Sequence, residues 1–423
     1  MTLFSSPVFS SVSTHEKYDK MGNLVYQKDG NNNVIAITYD KLGRPLVQTN
    51  PDGTTNRFSY DSVSNEIILT NQNNVKQKIK YDKLGREHAI YMEEPGSGYQ
   101  KMKQTDYDLF SRPIKISLYA QSETTPSSVM EYTYYADSSP KSETAKEGSK
   151  VLSKKDYAYA ISNSLNQTTV EVYSTDTAKT QIVQKTDVHG VIKEQQAIFD
   201  GKTYTQSFTH DTLGNVLTTT DFRANDENYT NKAVQKNTYD HANRVTKQEV
   251  LKDDGTYMES TVTYDKLGRA VSATDFNGNT VTTAYNKLNK ETEVVTPMEE
   301  NVTAKVKYFY DAAGNVTKQY QQNNKPGEAE RFKLVETVYN SMNQLVSVIS
   351  NDGNIDNIVK YEYDGIGNIT KMTTGITNIN DAIDPSVHGV TTYTYNYLNQ
   401  LVSTTDPQGN SVTNIYDKLG NVT

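Results

Sequence analysis

A tyrosine followed by Asp or Asn, with Gly or Asn four residues after the tyrosine, recurs from residue 18 to the last residues of this 423-residue chain. Self-similarity at a short period restricts a chain to repeat architectures, because one such unit is too small to bury a face of its own and must lean on its neighbours. The cleanest copies are Tyr39-Asp40-Lys41-Leu42-Gly43-Arg44, Tyr81-Asp82-Lys83-Leu84-Gly85-Arg86, Tyr264-Asp265-Lys266-Leu267-Gly268-Arg269 and Tyr416-Asp417-Lys418-Leu419-Gly420-Asn421. Looser copies start at Tyr18, Tyr60, Tyr107, Tyr239, Tyr285, Tyr310 (with Asp311 and Gly314), Tyr339, Tyr363 (with Asp364 and Gly367), Tyr395 and at His210, where His takes the tyrosine's place. Over these fourteen copies the fifth position is Gly eight times, Asn four times and Ser twice. That restriction has a backbone cause, since Gly adopts positive φ freely and Asn is the next best. The fifth position is therefore predicted to be left-handed and to close a hairpin, with the Asp or Asn at the second position accepting amide hydrogen bonds inside the turn. These residues carry a structural role, not a catalytic one.

Around each turn the sequence alternates with period two: Ile35, Ile37 and Tyr39 fall on one face, Ala36 and Thr38 on the other. A second turn signal follows about ten residues later, as Asn50-Pro51-Asp52-Gly53, Asp253-Asp254-Gly255, Asp275-Phe276-Asn277-Gly278, Asn351-Asp352-Gly353 and Asp406-Pro407-Gln408-Gly409. Each unit is thus strand, turn, strand, turn, with strands of roughly six residues, about 20 Å long. Anchors at 18, 39, 60 and 81 are 21 residues apart, while others stretch to between 24 and 32. Degenerate anchors at Tyr135, Tyr159 (Asn163 four on) and Thr186 (Asp187, then Gly190) fill the gap between Tyr107 and His210. The expected layout is a lead-in over residues 1–14 and an array of about 17 units over 15–423, the last one truncated. No domain boundary shows; Ser138-Ser139-Pro140-Lys141-Ser142-Glu143 is the most linker-like stretch.

Composition sharpens the fold class. Hydrophobic residues make up only 35% of the chain, near the border where chains stop burying enough apolar surface to fold, yet there are 31 Tyr against 10 Phe. A polar β protein is expected, with both faces of its sheet largely hydrophilic. With no Cys there are no disulfides, thiolate metal sites or cysteine nucleophiles. A net charge of -8 with both signs mixed along the chain argues against nucleic acid as a partner. No stretch approaches the roughly 18 apolar residues of a membrane span, and the start, Met1-Thr2-Leu3-Phe4, lacks the basic region of a secretory signal.

The six His, at 15, 88, 189, 210, 241 and 388, show no metal-binding spacing. Asp29-Gly30-Asn31-Asn32-Asn33 offers calcium-loop oxygens, but Val34 stands where such a loop needs Gly and Asp40 where it needs Glu, so turn chemistry is preferred. Asp recurs in nearly every unit, so neighbouring carboxylates need no glycosidase role. No Gly-x-Ser-x-Gly or phosphate-cradling loop appears. No cofactor, no metal and no enzymatic activity are expected. The tyrosine rows have a structural reading, an aromatic face packed in a half-wet sheet, and a functional one, a ladder that stacks on sugars. Such ladders usually use Trp as well, and this chain has none.

Tandem Tyr-Asp-x-x-Gly-Arg/Asn units of about 21 residues, joined by turns such as Thr405-Asp406-Pro407-Gln408-Gly409-Asn410, resemble the YD repeats of the RHS family, from about residue 15 onward. That family includes bacterial Rhs and wall-associated polymorphic toxins, shell subunits of insecticidal toxin complexes, and animal teneurins; the cysteine-free, Thr- and Asn-rich style is most similar to the Gram-positive wall-associated proteins. The resemblance implies an all-β spiralling sheet of tandem hairpins, part of a hollow shell that encloses or presents a C-terminal toxin in contact-dependent competition. It implies a secreted or cell-wall location, and as partners the remainder of a larger RHS polypeptide with its toxin. The tyrosine rows carry the alternative, a carbohydrate-binding cell-surface adhesin with cell-wall or host glycans as partners. Neither the family's self-cleaving core block nor a toxin domain is found in this sequence, and an array that stops in mid-unit is expected to be a fragment of something longer.

Overall fold

The computed structural model describes residues 13–120, 123–173, 179–220, 234–299, 302–323, 332–351, 356–416 and 422. They contain 33 β-strands, from Ser13–Tyr18 to Ser411–Thr413, and no helix, hence no helix long and apolar enough to cross a membrane. The strands belong to one antiparallel sheet of tandem hairpins. Few side chains are fully buried, and among the described residues the buried polar ones, such as Gln77, Thr105, Ser347 and Thr373, are as numerous as the buried apolar ones, such as Ile37, Met92, Ile358 and Ile376. A sheet with two polar faces explains how so low an apolar fraction folds.

Both turn classes use one backbone. In the first, Gly43 donates to the Asp40 carbonyl at 3.1 Å and Asp40 to the Arg44 carbonyl at 2.9 Å; in the second, Gly53 donates to Asn50 and Asn50 to Thr54, each at 2.9 Å. This is a three-residue hairpin loop whose last residue must be left-handed. Gly43, Gly85, Gly268, Gly314 and Gly367 have φ between 75° and 97°, and Asn243, Asn289, Asn343 and Asn399 between 57° and 65°. Ladder register shifts by one residue beside the tyrosine, as between Thr38 and Tyr39.

Three places depart from the sequence reading. After Tyr60 the loop is one residue longer, pairing Asp61 with Glu66, so the left-handed residue is Asn65 (φ 54°) instead of Ser64. The unit assigned to Tyr135 is anchored one residue earlier: Tyr135 fills the Asp position and Ser138 (φ 72°) the fifth. Tyr159 lies within the strand Lys150–Ser162, which closes onto Leu165–Tyr173 through a two-residue Asn163-Ser164 turn with both φ positive, at 51° and 63°. Such a turn needs no tyrosine anchor. Asp352 and Gly353 lie outside the described residues.

Although no boundary shows in the sequence, contacts gather into two compact units: residues 1–103, 120–123 and 284–423 form one, and residues 104–119 with 124–283 the other. The first joins the beginning of the array to its end.

Candidate functional site

The candidate site is the repeated turn itself. Asp40 Oδ1 accepts the amides of Leu42 at 2.8 Å and Arg44 at 3.0 Å, while its Oδ2 accepts Arg44 Nε at 2.7 Å and lies 2.6 Å from a second guanidinium nitrogen. The same clamp recurs at Asp82 with Arg86 and at Asp265 with Arg269. In each of the three the arginine's backbone amide is the leading cause, its guanidinium adding to it, of a carboxyl held below the usual range. For Asp240 the guanidinium of Arg244 leads and pushes the carboxyl to about 2.

In most of the described units the tyrosine ties the hairpin to the one before. Tyr39 Oη donates to the Leu24 carbonyl at 2.8 Å, Tyr60 to Pro45 at 2.9 Å, Tyr264 to Val245 at 2.9 Å, Tyr310 to Glu291 at 2.7 Å, Tyr363 to Leu345 at 2.5 Å and Tyr416 to Leu401 at 2.7 Å. Every acceptor lies six residues past the preceding unit's tyrosine, the first ladder position after its turn. The preceding arginine then covers the ring: the Arg44 guanidinium is 4.1 Å from the centroid of Tyr60, and that of Arg244 is 4.3 Å from Tyr264. Burial pushes the hydroxyls of Tyr39, Tyr81, Tyr310 and Tyr363 up. Tyr81 follows the long turn after Tyr60, and there its amide bonds the Asn65 carbonyl at 2.9 Å. His210 is too short for the tyrosine's reach; its Nδ1 is buried without a hydrogen-bond partner, and burial lowers its pKa. Asp417 and Gly420 lie outside the described residues.

A seam that sequence reasoning missed runs through the first compact unit. There the second-class turns at Asp29 and Asn71 meet tyrosine turns about 280–314 residues later. Asn31 Nδ2 donates to Asp311 Oδ2 at 2.8 Å, and Asn73 Nδ2 to Asp364 Oδ2 at 3.1 Å. Asn343 Nδ2 donates to Asp29 Oδ2 at 3.1 Å, and the Gly365 amide to Asn73 Oδ1 at 3.0 Å. The backbones approach so closely that a Cβ on Gly30 would stand 1.7 Å from the Ala312 carbonyl oxygen. Asp29, Asn50 and Asn71, 21 residues apart at the head of three successive turns, are only 5%, 4% and 6% exposed. Burial works against ionising Asp311, but the amides of Asn31 and Asn315 outweigh it and keep the carboxyl below its ordinary range. A cavity of about 90 Å³ is left beside Asn73, Asp364 and Tyr397, whose Oη is buried and pushed up to about 12 by burial and then by Glu94.

Among the described residues no group of three or more His, Cys, Asp or Glu could hold a metal ion. A cavity of about 550 Å³ is lined by Ile349, Ile358 and Ile379 together with Glu336, Asp356 and Asn378. What the arrangement does chemically is hold polar turns together.

The chain matches no protein-family model and no curated protein. Among solved structures it is similar to a chain in the crystal structure of TcdB2-TccC3-Cdc42, at 13% identity with a TM-score of 0.70, and to one in the crystal structure of TcdB2-TccC3-TEV, at 13% identity and 0.68. Each likeness covers 98% of this chain and 23% of the other, so the chain has the fold of those structures over about a quarter of their length.

Proposed function

We propose that this chain is a non-enzymatic wall segment of an RHS-type YD-repeat protein, acting outside the cell to enclose or present a toxic polypeptide encoded in the same or a neighbouring reading frame. The carrying observation is the seam: a sheet whose early turns bond its late turns can form wall, and the TcdB2-TccC3 assemblies share its fold over 98% of the chain. Hydrophilic faces without a catalytic constellation fit that role. A wall-associated toxin of contact-dependent competition is the member of the class that the repeat style fits best. The sugar-ladder reading has less behind it, because the motif tyrosines commit their hydroxyls to backbone carbonyls; a glycan array is expected to stay blank.

The test is protease protection. In the full polypeptide that contains this segment, a guest region should resist trypsin, and Gly30→Val, which opens the seam, should expose it. Equal cleavage of the guest in both proteins would remove the enclosing role.

A further inference from the structure

Three carboxylates receive a seam asparagine, and each sits in a turn with Asn, not Arg, after its left-handed residue: Asp311 with Asn315, Asp364 with Asn368, and Asp29, in a second-class turn, with Asn33. Charge and geometry explain the restriction. In an Arg turn two guanidinium nitrogens occupy Oδ2, as around Asp40. In the Asn turn at Asp311, Oδ2 takes one resident N–H, from Asn315 at 2.9 Å, which leaves a lone pair for Asn31. The tip residue before the glycine is then covered: Ala313 is 7% exposed, against 74% for Leu42, 71% for Leu84 and 71% for Leu267 in Arg turns.

Among the described residues four further Asn turns lie outside the seam, second-class ones at Asp275 and Asp406 and first-class ones at Asp19 and Asp211; the last two are the counterparts of the turns at Asp311 and Asp364. Asn23 Nδ2 donates to Asp19 Oδ2 at 2.9 Å, and Asn215 Nδ2 to Asp211 Oδ2 at 2.8 Å. Their tips are open: Met21 is 66% exposed and Leu213 72%, and a Cβ at Gly22 or Gly214 would meet nothing within 4 Å. The visiting element exists in the chain too. Asn31 and Asn73 are third in their turns, and Asn277 and Gln408 hold that place in the exposed turns at Asp275 and Asp406, which have the same backbone, with Gly278 and Gly409 each donating at 3.0 Å to the first residue's carbonyl.

We infer that the turns at Asp19 and Asp211 are seats of the seam type, and that their occupant is a second copy of this chain, presenting the side-chain amide of Asn277 or Gln408. One chain carries both halves of a contact it already makes with itself. Because seat and visitor are different patches, the association is head-to-tail and adds copies without pairing them off.

Sedimentation equilibrium of the 423-residue chain up to about 1 mM tests this. The weight-average mass should climb with concentration above the 47.5 kDa of one chain. Asn23→Arg combined with Asn215→Arg gives those turns the clamp of Arg44 and Arg86, so the variant should keep the wild-type circular dichroism and lose about tenfold or more in association constant. Asn277→Asp with Gln408→Glu, which sets carboxylate against carboxylate, should do the same from the other side. A wild-type mass of one chain at every concentration overturns the inference, as does association unchanged in both variants.

Discussion

The turns at Asp40 and Asp311 share a backbone, a left-handed glycine and an aspartate that accepts two amides, yet one is an open tip and the other a seat. Three positions differ, Ala312 and Ala313 replacing Lys41 and Leu42 and Asn315 replacing Arg44, and of these only the last bonds the carboxylate through its side chain. Arginine after the glycine satisfies the carboxylate from within its own unit and reaches forward over the next tyrosine; asparagine satisfies half of it and leaves the rest to a visitor. A repeat can thus be uniform in fold while its contacts are written unit by unit, in a position that looks merely variable.

The largest break in this comparison should come from Gly30→Val. Its Cβ would sit 1.7 Å from the Ala312 oxygen and 2.2 Å from the carbonyl carbon, so the seam must part, at about 3 kcal/mol. A thermal melt matching wild type would mean that the two turns do not meet. Next comes Gly268→Val, in a turn whose tip is exposed but where the new Cβ would also press the Arg244 guanidinium at 2.8 Å. At φ 85° any β-branched residue is strained, and the expected cost is about 1–2 kcal/mol. Hydrogen exchange should show that damage confined to the units around Tyr264, whereas the Gly30 variant should loosen amides in both residues 24–39 and 302–322.

Acid should separate the two kinds of turn more gently. Asp311 is held low by its amide donors, so the stability it contributes is complete above the unfolded carboxyl value of about 4 and fades as pH falls through its folded value. Asp240, at about 2, keeps its clamp further into acid. Melting temperature followed from pH 5 to pH 2.5 should therefore fall less steeply in Asn31→Ala than in wild type; parallel curves would remove Asn31 from the account. The smallest effect is a gain. His210→Tyr would supply the hydroxyl that its unit lacks, aimed at the Ile192 carbonyl, and should stabilise by about 0.5–1 kcal/mol in urea melts.

Much of the fold was legible because its determinants are local. Positive φ selects Gly or Asn within four residues of the tyrosine, and alternation fixes the strands between turns. Where local rules have two solutions the sequence misleads by one residue: Ser64 and Asn65 can both close the loop after Tyr60, and only ladder pairing decides. The anchor near Tyr135 fails for the same reason, two adjacent tyrosines being equally good candidates. The seam lay beyond any local pattern, because Asn31 and Asp311 are 280 residues apart. Its single trace in the sequence was the Asn in place of Arg at positions 315 and 368, which reads as ordinary repeat variation until the two turns are placed together.

The backward reach of the tyrosine hydroxyl gives the array a direction in time. Leu24 offers its carbonyl, but the donor is Tyr39, made fifteen residues later; Pro45 then waits for Tyr60. On a ribosome, which adds about 5–20 residues each second, the newest unit is always incomplete and the one before it has just been finished. The growing sheet therefore carries a single moving boundary between finished and unfinished wall, and wherever synthesis halts, the last hairpin is left lacking the hydroxyl that would have completed it.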